Sequence, residues 1–340
     1  DQYGTDPLRF TLVTSGSPGN DLNLDNDRVE ANWRFVNKIW QMGNFITGNL
    51  DGDLPPGLPP AAELDLPSRW IVSRLMRLVG SVQYLFDAYQ FGEAGRQIQD
   101  FLWSEFADWY IEMSKHPLYE GDANAQTRTR RALVAVLDTC LRLLHPFMPF
   151  VTEELWQYLP HQGETLMLAR WPQVQPEYLD ERAETEMNTL MDLVRGVRNA
   201  RTEYNVDPAR RLQASASPGS YRETLKQYGY IFARLCNVNA IELLADGAVA
   251  PEQAASIVAS EVALYLPLAE MIDIEAERER LSKEQAKLQE QLGRSQAMLG
   301  NEQFISRAKP EVVERERTRL AELQAALAQI AERLTALTGA

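Results

Sequence analysis

Residues 310–338, PEVVERERTRLAELQAALAQIAERLTALT, place apolar side chains at Val313, Leu320, Leu323, Leu327, Ile330, Leu334 and Leu337. With Glu316 counted as one missed slot, the steps alternate three and four, the 3.5-residue period of a coiled-coil seam. The stretch before it carries a looser stripe. Ile274, Leu281 and Leu288 lie seven apart, and the apolar line then shifts to Leu292 and Leu299. Between the two runs lies GNEQFISRAKP (300–310), in which Gly300 suits the left-handed position past a helix end and Pro310 suits a first helical turn. So short a tip makes the helices antiparallel partners within one chain, each about 40 Å long at 1.5 Å per residue. An arm that thin has little core of its own, so reach is the reason for its length.

Upstream of the arm the pattern is different. From Arg211 short alternating runs appear: LQASAS (212–217), a helix near 219–235, then AIELLA (240–245), SIVAS (256–260) and EVALYLPL (261–268). Strands with one helix between them predict a small α/β module over 211–274. Residues 27–210 read as an antiparallel helix bundle. Its helices are expected at about 27–49, 67–91, 92–114, 124–144, 149–159 and 180–205, with Asp27 as the first N-cap and Pro67 opening the second helix. Leu133, Val136, Leu137, Leu141 and Leu144 show the helical spacing of one of these helices. Residues 1–26, rich in Gly, Ser and Asn, read as an irregular connector. The expected fold is therefore mainly α: a helix bundle (27–210), a small α/β module (211–274) and an antiparallel two-helix coiled-coil arm (275–340).

Composition narrows the functional classes. The 340 residues are 45% hydrophobic and 24% charged, and no apolar run is long enough to span a bilayer. No signal peptide is visible, and the chain opens Asp-Gln-Tyr without an initiator Met, as a segment of something longer would. Cys140 and Cys236 stand alone in apolar surroundings, as buried thiols of a reducing, cytoplasmic protein do. No metal-ligand spacing, phosphate-binding glycine loop or nucleophile–base arrangement is present, so neither catalysis nor a cofactor is expected in this chain. Glu153–Glu154 and Glu184/Glu186 sit where first-turn carboxylates favour the helix dipole, and His145 before Pro146 reads as a helix C-cap. The net charge of −14 argues against indiscriminate nucleic-acid binding. Residues 275–338 hold eleven basic and eleven acidic groups, so the whole deficit lies in the body.

Local donor clusters stand against that acidic background. On the 27–49 helix, Val29, Trp33, Val36, Ile39 and Trp40 form an apolar face. Arg34, Asn37, Lys38, Gln41 and Asn44 lie within about 120° on the opposite face, which is expected to carry no carboxylate. Donors without an acid suit phosphates and base edges, although a merely solvated face is the competing reading. A second patch, LMDLVRGVRNARTEYNVDPARR (190–211), offers Arg195, Arg198, Arg201, Arg210 and Arg211. Arg201 shares a line with Leu190, Val194, Val197 and Tyr204 and is expected to be half-buried and paired. The others are open to phosphate contact or to solvation alone. On the arm, Arg294, Arg307 and Lys309 lie among glutamates, and Phe304 on the polar tip either pins the turn or stacks on a base.

HPFMPFVTEELW (145–156) has a physical reading, two prolines ending one helix and starting the next, and it also resembles a hallmark of the anticodon-binding domain of class I aminoacyl-tRNA synthetases of the Val/Ile/Leu type. YGTDPLRFTL (3–12) resembles the segment after that family's KMSKS loop, and RFVNKIW (34–40) resembles the opening of its bundle. SRWIVSRLMRLV (68–79), FLWSEFADWYIEMSK (101–115) and VRGVRNARTEYNVDPARR (194–211) are similar to later parts of the same domain. LYLPLAEMIDIEAERERL (264–281) leading to LGNEQFISRAKPEVVERE (299–316) looks like the C-terminal coiled coil of the valyl branch. Isoleucyl enzymes often end in a cysteine zinc module, for which two scattered cysteines do not suffice.

The resemblance implies a tRNA(Val) partner, with the bundle on the anticodon stem-loop and the arm against the outer corner of the L. It places the catalytic and editing domains, and the ATP and Mg that the full enzyme would use, upstream in the same polypeptide. The chain alone is expected to bind tRNA without aminoacylating it, as a cytoplasmic monomer with no membrane contact. The candidate RNA-binding residues are Arg34, Asn37, Lys38, Gln41, Asn44, Arg195, Arg198, Arg294, Phe304, Arg307 and Lys309. Two other readings stay open at this point: a scaffold whose coiled coil pairs between chains, and a free-standing synthetase paralogue acting on another RNA.

Overall fold

The computed structural model describes residues 2–16, 24–52, 54–55, 57–245, 247–271, 274–300 and 310–338, with the side chains of Glu270, 274–281, 310–312 and 332–338 left out. The chain begins with a helix. The irregular stretch expected over the first 26 residues is corrected by α1 (Thr5–Thr14), which is built into the bundle. Phe10 is fully buried between Phe35 at 5.7 Å and Phe147 at 6.0 Å, a burial worth about 2–3 kcal/mol. Asn32 Nδ2 donates to Thr11 Oγ1 at 2.8 Å, and Arg9 donates to the carbonyls of Phe147 and Pro146.

Helix α2 (Asn26–Gly48) is capped by Asp25, whose side chain accepts from the Asp27 N–H at 3.1 Å, so the cap lies two residues before the expected one. Its buried line is Val29, Asn32, Phe35, Ile39, Met42, Gly43 and Ile46. This corrects the expected apolar face: Trp33 and Trp40 are 41% and 38% exposed, and Trp33 leans on Tyr3 instead. Gly43 allows α2 to meet α7, because a Cβ there would collide with Leu155. The bundle continues with α3 (Leu66–Asp87), α4 (Phe91–Asp100), a π-helical run Phe101–Ile111, α5 (Glu112–Tyr119) and α6 (Ala123–Leu144). It closes with α7 (Pro149–Gln157) and α8 (Glu181–Glu203). Asp65, Asp122 and Asp180 cap α3, α6 and α8 through their carboxylates.

Helix α7 opens differently. Its N-cap position is Met148, which has no capping oxygen, and its first N–H groups are served from α1. Asp6 accepts from Val151 N–H at 2.7 Å and from Phe150 N–H at 3.4 Å. His145 sits at the C-cap of α6 as expected, its Nδ1 2.8 Å from Thr152 Oγ1, and burial depresses its pKa despite Glu153 and Asp6 nearby. Both cysteines are buried and free, and burial pushes the Cys236 thiol up to about 12, which leaves it unreactive near neutrality.

The α/β module contains β1 (Leu212–Ser217), α9 (Arg222–Tyr228), α10 (Tyr230–Cys236), β2 (Val238–Leu243), β3 (Ala254–Ala259) and β4 (Val262–Pro267). The sheet order is β2-β1-β4-β3, with β1 and β2 parallel and the other pairs antiparallel. Leu212, Ala214 and Ala216 of β1 and Val262, Leu264 and Leu266 of β4 point inward at the strand period of two. The sheet lies on α8, where a Cβ at Gly196 would run into Ile257 of β3.

After a short turn, α11 (Leu268–Met271), come the two arm helices α12 (Ile274–Leu299) and α13 (Pro310–Thr338), which pack on each other. The two irregularities in the apolar stripes coincide. Ser295 of α12 is buried and donates to Glu316 Oε1 of α13 at 2.6 Å, so the missed slot of one helix faces a polar residue of the other. With Gln285, Leu288, Leu292, Ser295 and Leu299 covered to different degrees, the α12 seam keeps steps of three and four after all. Of the expected seam, the side chains of Ile274, Leu281, Leu334 and Leu337 and the tip 301–309 fall outside the described residues.

Candidate nucleic-acid interface

The outer face of α2 is the first candidate surface. Arg34 is 66% exposed but is already bound to Glu30 at 2.5 Å, one turn earlier on the same face. The expectation of a carboxylate-free face is thus corrected, since i and i+4 residues are neighbours on a helix. Lys38 Nζ lies 2.8 Å from Asp108 Oδ1 and 4.7 Å from the centre of the Trp103 ring. Both cations therefore have acidic partners, and exposed pairs of this kind contribute about 1 kcal/mol or less. Asn37, Gln41 and Asn44 have no side-chain partner among the described residues, and the last two are exposed. The face thus presents three neutral amides flanked by two matched charges.

The structure adds to this face residues that sequence reasoning did not select. Phe45, half-buried and next to Asn44, lies beneath Lys115 Nζ of α5 at 5.6 Å from the ring centre. Lys115 is held there by Glu112 at 2.5 Å. A half-covered aromatic beside free amides and a cation has the composition of a base-stacking platform. Its signal was a phenylalanine one residue past Asn44, which at 100° per residue falls inside the donor arc between Gln41 and Lys38.

The second patch is partly structural. The guanidinium carbons of Arg195 and Arg198 lie 5.2 and 5.4 Å from the centre of the Trp109 ring, and Trp109 belongs to the π-helical run. Arg195 also pairs with Asp192 at 2.7 Å, and Arg198 Nε donates to Leu235 O at the end of α10 at 3.0 Å. Arg198 thereby ties the bundle to the α/β module. Arg201 is half-buried as expected, but its partners are the carbonyls of Asp207 and Pro208 rather than an acid. On the arm, Arg294 is exposed and paired with Glu290 one turn away. Phe304, Arg307 and Lys309 fall outside the described residues. The structure therefore brings the α2 donors together on one face, and places Arg195 and Arg198 together on Trp109.

Comparison with known proteins identifies this architecture. The description of an anticodon-binding domain of tRNA ligases matches residues 68–216, and that of a valyl tRNA synthetase tRNA binding arm matches residues 273–338. The α2 face lies before the first of these matches. The valine–tRNA ligase of Listeria innocua is 39% identical over 340 residues, 99% of this chain and 38% of that protein. The Geobacillus stearothermophilus enzyme is 43% identical over 320 residues, 93% of this chain and 36% of that protein. Among solved structures, the Agrobacterium radiobacter leucyl enzyme in a ternary complex with tRNA overlaps 53% of this chain and 20% of its own, at a TM-score of 0.41 and 18% identity, too distant to argue from. Matched along almost its whole length, and spanning a little over a third of the length of the curated relatives, the chain belongs to the valyl-tRNA synthetase family.

Proposed function

We propose that this chain is the tRNA-recognition part of a valine–tRNA ligase, C-terminal to catalytic and editing domains in the same polypeptide. The observation that carries the reading is the outer face of α2, where Asn37, Gln41 and Asn44 lack partners beside Phe45 beneath Lys115. The amides serve base edges and the ring serves stacking, which suits the splayed bases of a single-stranded loop. The bundle, extended by α1 and including residues 27–210, reads the anticodon stem-loop of tRNA(Val). The α/β module, 211–274, fixes the base of the arm. The arm from 275 onward is a coiled coil that contacts the outer corner of the tRNA, with Arg294, Phe304, Arg307 and Lys309 on it and Arg195 and Arg198 nearer the bundle. We place the protein in the cytoplasm as a monomer; no described helix is long and apolar enough to cross a membrane. Whole-length likeness to valine–tRNA ligases disfavours the scaffold reading.

The test is equilibrium binding to tRNA(Val) and to a tRNA of unrelated anticodon. Preference for tRNA(Val) that is lost in the triple variant Asn37→Ala, Gln41→Ala, Asn44→Ala supports the reading. Equal affinity of the unaltered chain for both tRNAs refutes the role given to the bundle. Removing 276–338 is expected to weaken binding while leaving anticodon preference intact.

A further inference from the structure

A cleft of about 440 Å³ opens between the proline-rich loop after α2, helix α6 and the loop that follows α7, and among the described residues none of α2, α8 or the arm lines it. Its volume falls within the range of small-molecule sites. Leu58, Met76, Val134 and Ala135 make an apolar floor. Trp171 forms part of the wall and is backed by Phe86, whose ring centre is 5.1 Å away, so the indole is held in place.

The polar groups divide into two sets. Asp138 is neutralised: Arg142 pairs with it at 3.0 Å and Trp156 Nε1 donates to it at 2.7 Å. Arg142 also donates to Arg170 O, which fixes the backbone of the loop. The second set is open. The Arg170 guanidinium and the amides of Gln162, Gln173 and Gln175 line the cleft, are exposed, and have no side-chain partner among the described residues. His161 Nδ1 is bonded to Leu159 O at 2.7 Å, which leaves Nε2 as an acceptor if Nδ1 carries the proton.

We infer that this cleft binds an unpaired nucleotide, either free or within an RNA strand. A flat apolar slot with a fixed indole takes the faces of a base, and amides offer both donors and acceptors to its edge. Arg170 is the cleft's unmatched cation and takes the phosphate bidentately.

The test uses the whole chain, titrated with AMP, GMP, CMP and UMP and separately with a single-stranded hexanucleotide, followed by ligand-observed saturation-transfer NMR. At least one monophosphate or the hexanucleotide is expected to bind saturably with Kd on the order of 1 mM or tighter. Arg170→Ala is expected to weaken that binding about tenfold, the effect of losing one charge-assisted contact. Ala135→Phe, which fills the floor, is expected to abolish it. Arg170 is exposed, so its variant keeps the test valid if the core substitution unfolds the chain. Binding of monophosphates assigns the site to a free nucleotide, and binding of the hexanucleotide alone assigns it to a strand. Failure of both to bind, insensitivity to Arg170→Ala, or equally tight binding of inorganic phosphate overturns the inference.

Discussion

Substitution of Asp6 tests whether α1 belongs to the bundle. Its carboxylate is buried and reaches across 145 positions of sequence to accept from Val151 N–H at 2.7 Å, with Phe150 N–H at 3.4 Å. No local side chain replaces it, because Met148 occupies the cap position of α7. Removing a cap costs about 0.5–2 kcal/mol, and a hydrogen bond to a charged acceptor contributes about 1.5–3 kcal/mol. Only the shorter contact has good geometry, so Asp6→Ala should cost about 1.5–2 kcal/mol, where those two ranges overlap. Asp6→Asn keeps one oxygen acceptor but loses the charge at the positive end of the helix, and should cost about 1 kcal/mol. Urea unfolding followed by tryptophan fluorescence reads both, because Trp156 lies within α7 and is fully buried. If Asp6→Ala lies within about 0.5 kcal/mol of the unaltered protein, or the loss appears only as a separate transition of the first residues, α1 is an appendage and not a member of the bundle.

Other expectations can be checked with standard measurements. His145 is depressed by burial, so the unfolded chain binds its proton more readily. Stability should therefore fall as pH drops from about 6.5 through the lower folded pKa, and the step should vanish in His145→Gln, as read by denaturation across pH. In the arm, Ser295→Ala alone removes the partner of a half-buried carboxylate and should speed amide hydrogen exchange near Glu316 by about tenfold, whereas Ser295→Ala with Glu316→Leu should restore or exceed the original protection. Asp108→Ala releases Lys38 and should tighten tRNA binding severalfold at low salt, an effect that disappears by about 200 mM salt; unchanged affinity at low salt counts against a role for Lys38.

Local signals were legible in the sequence and non-local ones were not. The helices of the bundle and the four strands followed from spacing, capping aspartates and proline, which act within one turn. The orientation of α2 was misjudged because Trp33 and Trp40 pulled the apolar face toward themselves. Tryptophan tolerates partial exposure, and the true line through Phe35 and Met42 was outweighed. Helix α1 was hidden because its stability comes from Phe10 and Asp6 meeting residues about 140 positions away. The pairing of Arg34 with Glu30 was readable as an i,i+4 step, whereas that of Lys38 with Asp108 required the bundle to fold. The same holds for Ser295 and Glu316: the missed slot at Glu316 was visible in its own stripe, but only the register of two helices shows that Ser295 meets it.

The pairing of charges on the candidate surface changes what kind of recognition it supports. An acidic body gains little from bulk attraction to RNA, and Arg34, Lys38, Arg195 and Arg294 each already face a carboxylate. A phosphate that engages one of them first displaces that carboxylate, so the net electrostatic gain per contact is smaller than for a free cation. The amides of Asn37, Gln41 and Asn44 and the ring of Phe45 carry no such competitor among the described residues. Contacts to RNA through these groups would depend on hydrogen-bond geometry and stacking, which distinguish one loop from another but do not hold arbitrary RNA. Binding should therefore separate into a modest salt-dependent part from the cations and a salt-insensitive part carrying the discrimination. In a chain whose net charge is −14, that division would let the proposed surface reject most RNA by repulsion and accept the one whose bases fit.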